Sequence, residues 1–476
     1  MATRISLSEM LNIRSVAIVG IGAELGYYWV HSMLQWPHDL RVWLVSRGGG
    51  EVLGRKVYRS VSEIPEKIDY AIVAVPNRYV VAVLREVAAH GAKGATVFTS
   101  GYSELGTDEG RAREQELRSV IRSLGIRVIG PNCMGITYPK IGFAFMPTVK
   151  RLSGDVGFLS QSGGVAIAVY TAGVEAGVGF SKLFSFGNQV DVSSQEIVDY
   201  FAEDDETRVV GAYIEGTRDG RELMMSITRL SQEKPLVVLK GGRSSEGSRA
   251  VSSHTGALAG RNDIWRSLLR RSNVPMVETL EDMVATLSVF SLCPRPRSRK
   301  VGILAISGGT SVIYTDLCIE GGLRVPRTSP ATVDRLRGLV RDVGTGLYNP
   351  VDLAADYYSD RTASDVIQIV GEEQEFDSLL IEADVHNVHQ VASIVGAADS
   401  ADDFWRSLAA ASKRVVQETN KPVLTVIPEV AYPEQRSKVW NIFVGEGLPV
   451  FRNMREAIGA LERVCDYFEH RHRTSH

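Results

Sequence analysis

Short apolar runs alternate along this chain with longer stretches of helical periodicity. The runs Ser15-Val-Ala-Ile-Val-Gly20, Leu40-Arg-Val-Trp-Leu-Val45, Tyr70-Ala-Ile-Val-Ala-Val75, Ala95-Thr-Val-Phe98 and Arg127-Val-Ile129 read as buried strands. Helical patterns lie between most of them, so residues 1–145 are expected to form a parallel, doubly wound sheet. A second set comprises Val156-Gly-Phe-Leu159, Phe180-Ser-Lys-Leu-Phe184, Val209-Val-Gly-Ala-Tyr-Ile214 and Pro235-Leu-Val-Val-Leu239, giving an α/β unit over 146–292. The basic, Pro-containing stretch Cys293-Pro-Arg-Pro-Arg-Ser-Arg-Lys300 reads as a linker. Beyond it, Val301-Gly-Ile-Leu-Ala-Ile306, Ser378-Leu-Leu-Ile381 and Val423-Leu-Thr-Val-Ile427 predict a third α/β unit over 301–468.

The third unit repeats an element of the second. Val301 to Gly309 matches Val156 to Gly164 at six of nine positions, each time where a strand runs into a glycine pair and a helix. Such a helix N-terminus carries about half a positive charge. With two hydroxyls beside it, the first copy offers an anion cradle at Ser160, Ser162, Gly163 and Gly164.

Composition narrows the classes. The 476 residues suit three domains, and a formal net charge of -3 gives no reason to expect nucleic acid or a membrane surface as partner. The N-terminus lacks a signal-peptide apolar core and there is no long apolar run, so the cytoplasm is the expected location. Four widely spaced cysteines form neither a disulfide framework nor a metal cluster, and no metal site is expected.

Three further stretches carry candidate chemistry. The turn Gly20-Ile21-Gly22-Ala23 after the first strand resembles a nucleotide-binding turn. At the end of the second strand stands Arg47, where an NAD enzyme usually has Asp or Glu. An arginine there suits a phosphorylated ribose, in NADP or in coenzyme A. Later strand ends supply Val75-Pro76 and Asn132-Cys133 at the edge where ligands bind in such sheets, although ordinary turn chemistry also explains these residues. His254 lies in Ser252-Ser-His-Thr-Gly256, a small-residue stretch with basic neighbours that reads as a loop, followed by a helix near Arg261. A neutral imidazole can attack phosphorus; a histidine capping a helix or turn is the plain alternative. Glu215 closes its strand at the same sheet edge, either to orient that histidine or as an ordinary strand-end carboxylate.

In chain order, Ile129-Gly-Pro-Asn-Cys-Met-Gly135, Leu159-Ser-Gln-Ser-Gly163, Phe186-Gly-Asn188 with Asp191, Tyr213-Ile-Glu-Gly216, Ser252-Ser-His-Thr-Gly256 and Asn349-Pro-Val-Asp352 resemble the ADP-forming acyl-CoA synthetases. These are relatives of succinyl-CoA synthetase, and the likeness is to the α-subunit type over nearly the whole chain. It implies a Rossmann-like CoA-binding domain followed by two flavodoxin-like ligase domains. It further implies a reversible reaction of acyl-CoA, ADP and phosphate to give a carboxylic acid, CoA and ATP. His254 would carry the phosphoryl group, supported by Glu215, with Ser160, Ser162, Gly163 and Gly164 receiving the phosphate. CoA would lie on Gly20, Gly22, Ala23, Arg47, Val75, Pro76, Asn132 and Cys133. Where the family has Asn-Pro-Lys after the second strand, this chain has Ser46-Arg47-Gly48. Nothing in the chain resembles the family's ATP-grasp domains. ATP or ADP with Mg2+ is therefore expected on a separate ATP-grasp β subunit, most simply in an α2β2 assembly. The competing expectation is a regulatory CoA- or nucleotide-binding protein of the same fold without turnover. An NADP-dependent dehydrogenase ranks last, since it leaves the Ser160 and His254 stretches unexplained.

Overall fold

The computed structural model describes residues 4–22, 27–147, 149–217, 219–255, 260–341, 344–396 and 401–474, at 252–255 and 472–474 through the backbone alone. Three sheets organise them. The first contains β1 (Ser15–Val19), β2 (Arg41–Val45), β3 (Gly50–Val52), β4 (Arg55–Tyr58), β5 (Tyr70–Val73), β6 (Gly94–Val97) and β7 (Arg127–Ile129), in the order β3-β4-β2-β1-β5-β6-β7. All pairs except β3–β4 are parallel. The order reverses at β1, as a doubly wound fold requires. Strands β1, β5, β6 and β7 are buried along their whole length, which is why they read as unbroken apolar runs.

The second sheet holds β8 (Gly135–Thr137), β9 (Ser153–Ser160), β10 (Phe180–Ser185), β11 (Val209–Ile214), β12 (Leu236–Lys240) and β13 (Met276–Val277), ordered β13-β12-β11-β9-β10-β8. Only β8 runs antiparallel. The third sheet comprises β14 (Val301–Ala305), β15 (Val351–Asp352), β16 (Ser378–Glu382), β17 (Val423–Val426) and β18 (Val450–Phe451), ordered β15-β14-β16-β17-β18 and parallel throughout. The chain forms two compact units. Met1–Val174 with Gly179–Leu280 holds the first two sheets; Glu175–Val178 with Glu281–His476 holds the third.

The sequence repeat has a physical cause in each unit. A Cβ on Gly157 would lie 2.5 Å from the Phe201 ring, and one on Gly302 would lie 2.6 Å from the Phe376 ring. Each strand thus needs glycine where an aromatic ring covers it. Five residues on, Ser162 and Ser307 accept from the backbone N–H groups of Val165 and Thr310, starting the helices Gly163–Glu175 and Gly308–Glu320.

One expectation is corrected, and one element is added. The stretch around His254 is not a loop: the helix Ser245–Thr255 includes it. Ser244 begins that helix by accepting from Gly247 N–H at 3.0 Å, and Ser248 ties it to the Gly242 carbonyl at 2.9 Å. The β3–β4 hairpin, whose residues are mostly exposed and polar, extends the first sheet beyond the strands read from the apolar runs.

Within the first unit, one buried cation joins the two sheets. Arg127, on β7, is only 2% exposed. It donates to Asp191 Oδ2 at 3.0 Å, to Glu196 Oε2 at 2.7 Å and to the Ile5 carbonyl at 2.8 Å. Asp191 also accepts from Val128 N–H at 2.8 Å. Asp191→Ala should destabilise the protein by about 3–5 kcal/mol, since removing one member of a buried pair strands the other charge. Urea titration of the two proteins measures this; a loss well under 1 kcal/mol would show that the pair is dispensable.

Candidate functional site

The carboxyl ends of β5, β6 and β7 face the loop after β9. Between them lies a cavity of about 510 Å³. Val75, Pro76, Asn132 and Cys133 form its wall on the first sheet; Gln161, Ser162, Gly163 and Gly164 form the opposite wall; Gly187 and Asn188 close one side. The volume and the mixed polar lining are those of a small-molecule site.

The loop after β9 is built to present backbone N–H groups. Ser160 is fully buried, and its hydroxyl donates to the Ser162 carbonyl at 2.6 Å. It therefore braces the turn from beneath, while Ser162, Gly163 and Gly164 border the cavity. The first amides of the helix Gly163–Glu175 have no preceding turn to accept them, so an anion is their natural partner. Gly163 is required sterically, since a Cβ would stand 2.7 Å from Met134 Cγ. Asn132 takes up φ +57°, and Gly187, at φ +52°, passes so close that a Cβ would meet the Pro131 carbonyl oxygen at 2.3 Å. The cavity wall is thus fixed by two tight turns pressed together.

The remaining residues fall as follows. Gly20, at φ +99°, would clash through a Cβ with the Ala74 carbonyl oxygen at 2.4 Å, so strand packing alone demands glycine there. A Cβ on Gly22 would meet nothing within 4 Å among the described residues. Ala23 lies outside the described residues. Arg47 is exposed and does not line this cavity; its guanidinium rests 4.0 Å from the centre of the Tyr79 ring. That stacking holds the guanidinium against the Tyr79 ring. Cys133 is buried, its thiol pushed up to about 12 by burial, so it serves as wall rather than nucleophile. His254 sits in the last turn of the helix Ser245–Thr255, and its side chain lies outside the described residues.

Glu215 is buried rather than solvated. Its Oε1 accepts from Tyr213 OH at 3.2 Å, and its Oε2, equally buried, has no hydrogen-bond partner among the described residues. Burial first, and the Glu215 carboxylate second, raise the Tyr213 phenol. Gln161 secures the backbone of this carboxylate by accepting from Glu215 N–H at 2.9 Å and Gly216 N–H at 3.1 Å. Gln161, Asn188 and Lys240 were not singled out from the sequence. The first two stand inside the Ser-Gln-Ser-Gly and Phe-Gly-Asn motifs, a signal that was available. Lys240 ends β12, is 2% exposed, and donates to the carbonyls of Glu215, at 2.7 Å, and of Gly241. An apolar-looking strand end gave no hint of it.

A doubly wound sheet opposed to a glycine-headed helix over one cavity defines an α/β protein with a small-molecule site at its strand ends. Comparison with known proteins agrees. Residues 14–139 match the CoA binding domain, and residues 153–290 match the succinyl-CoA ligase like flavodoxin domain. The α subunit of acetate–CoA ligase [ADP-forming] II from Pyrococcus furiosus is 34% identical over 76% of this chain and 80% of its own length. Acetate–CoA ligase [ADP-forming] II from Archaeoglobus fulgidus is 28% identical over 98% of this chain and 67% of its own length. Among solved structures, the dinucleotide-forming acetyl-coenzyme A synthetase 1 of Ca. Korarchaeum cryptofilum, in complex with phosphate and ADP, superposes with a TM-score of 0.83 at 26% identity, covering 98% of each chain. The chain belongs to the ADP-forming acetate–CoA ligase family, with a Rossmann-like CoA-binding domain followed by flavodoxin-like ligase domains.

The buried ammonium of Lys240 makes a pH test available. Burial pushes it down from 10.5 to about 8, with the Glu215 charge partly opposing the shift. Between pH 8 and 10.5 the unfolded chain therefore keeps a proton that the folded chain has released. The folded state gains from this residue as pH rises through that window, and the burden is fully present below it. The stability of the wild type relative to Lys240→Met should accordingly increase from pH 8 to 10.5 in denaturant titrations. A pH-independent difference would show that the ammonium is not so perturbed.

Proposed function

We propose that this chain is the CoA-binding, phosphoryl-carrying part of an acid–CoA ligase that interconverts acyl-CoA, ADP and phosphate with a carboxylic acid, CoA and ATP. One observation carries the reading: a single cavity joins the strand ends of the CoA-binding domain to the helix N-terminus of the ligase domain, with a buried carboxylate, Glu215, at the neighbouring strand end. A CoA thiol delivered along Val75, Pro76, Asn132 and Cys133 would meet a phosphate held by Ser162 and the amides of Gly163 and Gly164.

In this mechanism a phosphate oxygen attacks the thioester carbonyl, the C–S bond breaks, and CoA leaves as thiolate. The resulting acyl phosphate remains at the helix N-terminus, whose fixed dipoles stabilise the charge on phosphorus. A His254 nitrogen then attacks phosphorus, the bond to the acyl oxygen breaks, and the carboxylic acid departs as its anion. Glu215 offsets the positive charge developing on the imidazole, as the carboxylate of a catalytic triad does. Phosphohistidine passes the group to ADP. That step needs nucleotide and Mg2+ held by an ATP-grasp segment, here assigned to a partner β subunit, most simply in an α2β2 assembly. The Pyrococcus relative bears the name of a subunit alpha, whereas the Archaeoglobus relative extends beyond the region that this chain matches.

Incubation with acetyl-CoA and labelled inorganic phosphate should place an acid-labile phosphoryl group on His254. His254→Ala should abolish the incorporation, and Glu215→Gln should slow it by about 10²–10⁴-fold, the usual cost of removing such a partner. Undiminished labelling of the His254→Ala protein would refute the mechanism. Labelling absent even from the wild type, with CoA still bound, would favour the regulatory reading. ATP-driven acetyl-CoA synthesis should require addition of an ATP-grasp chain; full activity without one would mean that a nucleotide site lies in this chain.

A further inference from the structure

We infer that Glu104 is a positioning residue that couples occupancy of the CoA cavity to the seating of the His254 helix. This rests on the proposed function for its purpose, but not for its geometry. The helix Ser245–Thr255 packs against the short 3-10 turn Ser103–Leu105, which belongs to the CoA-binding domain. The backbone bonds of that turn run from Leu105 N–H to the Tyr102 carbonyl and from Gly106 N–H to the Ser103 carbonyl, each 3.1 Å. The turn follows Gly101, which has φ +104° and whose Cβ would lie 2.5 Å from Asn77 Nδ2, and it ends at Gly106, with φ +68°.

The carboxylate of Glu104 closes the turn on itself. Its Oε1 accepts from the N–H groups of Gly101 and Tyr102, the latter at 3.1 Å. Its Oε2 accepts from Asn188 Nδ2 at 2.6 Å. Asn188 lines the cavity, and its side-chain nitrogen also donates to Glu114 Oε2 at 3.0 Å, while its oxygen faces Asn132 Nδ2 at 3.5 Å. Polar contacts thus run from the cavity wall (Asn132, Asn188) to the turn on which the helix rests, through Glu104 to its backbone and through Glu114 to the Ser103 hydroxyl. Glu104 and Glu114 both accept from the one amide nitrogen of Asn188, which also lies 3.5 Å from Ser103 Oγ, so the turn is sensitive to any shift of Asn188. A ligand that engages Asn188 or Asn132 alters the acceptor load on Glu104, and the turn beneath the helix responds.

Amide hydrogen exchange of the full-length chain, with and without CoA, tests this. In the wild type, CoA should slow exchange across Ser245–Thr255. In Glu104→Ala, calorimetry should give a CoA affinity weakened a few-fold, as reciprocity of the coupling requires, while the CoA-induced protection of Ser245–Thr255 is lost and that of the helix Gly163–Glu175 is kept. CoA-induced protection of Ser245–Thr255 persisting in the variant would overturn the coupling, as would an equal loss in both helices. Should the alanine variant fail to fold, Glu104→Gln keeps the shape and one acceptor; it should retain part of the CoA-induced protection, and full protection there would equally overturn the proposal. Failure of the wild type to bind CoA would refute the functional reading instead. In that case faster exchange of Ser245–Thr255 in ligand-free Glu104→Ala, against an unchanged helix Gly163–Glu175, would still support the seat, and no difference would refute it.

Discussion

Arg127 enters the interior of the first unit as a full positive charge, and much of the site geometry follows from how that charge is met. Its partners come from the Asn-x-x-Asp turn after β10 and the helix behind it, Asp191 and Glu196. Because Asp191 also holds Val128 N–H, the last strand of the first sheet is gripped by both backbone and side chain. Asp191 lies three residues beyond Asn188 and four beyond Gly187, both of which close the cavity. Gly187 in turn presses on the Pro131–Asn132 backbone. One ion pair therefore fixes the register between the CoA-binding wall and the phosphate-facing wall. Such pairs add little net stability compared with an apolar substitute. Here the pair specifies a distance between two domains, which an apolar contact, being non-directional, would define less sharply.

The repeated strand–Ser–Gly–Gly element shows one piece of physics used twice with different chemistry beneath it. Both copies need a glycine under a phenylalanine ring and a serine to start the helix. Below the first, Gln161 accepts two backbone N–H groups, and the nearby carboxylate Glu215 keeps a buried oxygen without a partner among the described residues. Below the second, Glu382 takes over: it accepts from Ile306 N–H, Thr310 Oγ1 and Tyr314 OH at 2.6 Å, and burial raises its carboxyl. The second loop is thus satisfied from within by a carboxyl group, whereas beside the first one carboxylate oxygen meets no partner among the described residues. An unfilled buried acceptor costs free energy, and among the described residues the first copy combines one with a cavity at its helix N-terminus.

Sheet architecture was legible because buried parallel strands are apolar on both faces, so β1, β5, β6, β9, β11 and β14 stand out as runs. The polar hairpin β3–β4 and the two-residue strands β13, β15 and β18 were not, since neither periodicity nor composition marks them. Strand-end turns such as Val75-Pro76 and Asn132-Cys133 pointed to the cavity wall by the general rule for α/β sheets. What the sequence could not tell was the direction of a side chain at such an end. Ser160 turns inward while Ser162 borders the cavity, and Gly20 answers to Ala74 rather than to a ligand. Those facts depend on contacts between segments tens of residues apart.

The helix around His254 shows why the sequence read as a loop. Its residues, Ser-Glu-Gly-Ser-Arg-Ala-Val-Ser-Ser-His-Thr, include four serines, a glycine, a valine and a threonine against three strong helix formers, so local propensity does not favour the helix. A segment of eleven residues is in any case too short to be stable alone in water. Its order must then come from outside: the buried Val251, the Ser244 and Ser248 side chains at its start, and the turn held by Glu104. Under the proposed mechanism this is an advantage. A carrier that owed its shape to its own sequence would remain a rigid rod wherever it went. One that is helical chiefly through its seat can lose that seat at modest cost, and the free energy separating the two states is then set by the residues of the seat rather than by those of the carrier.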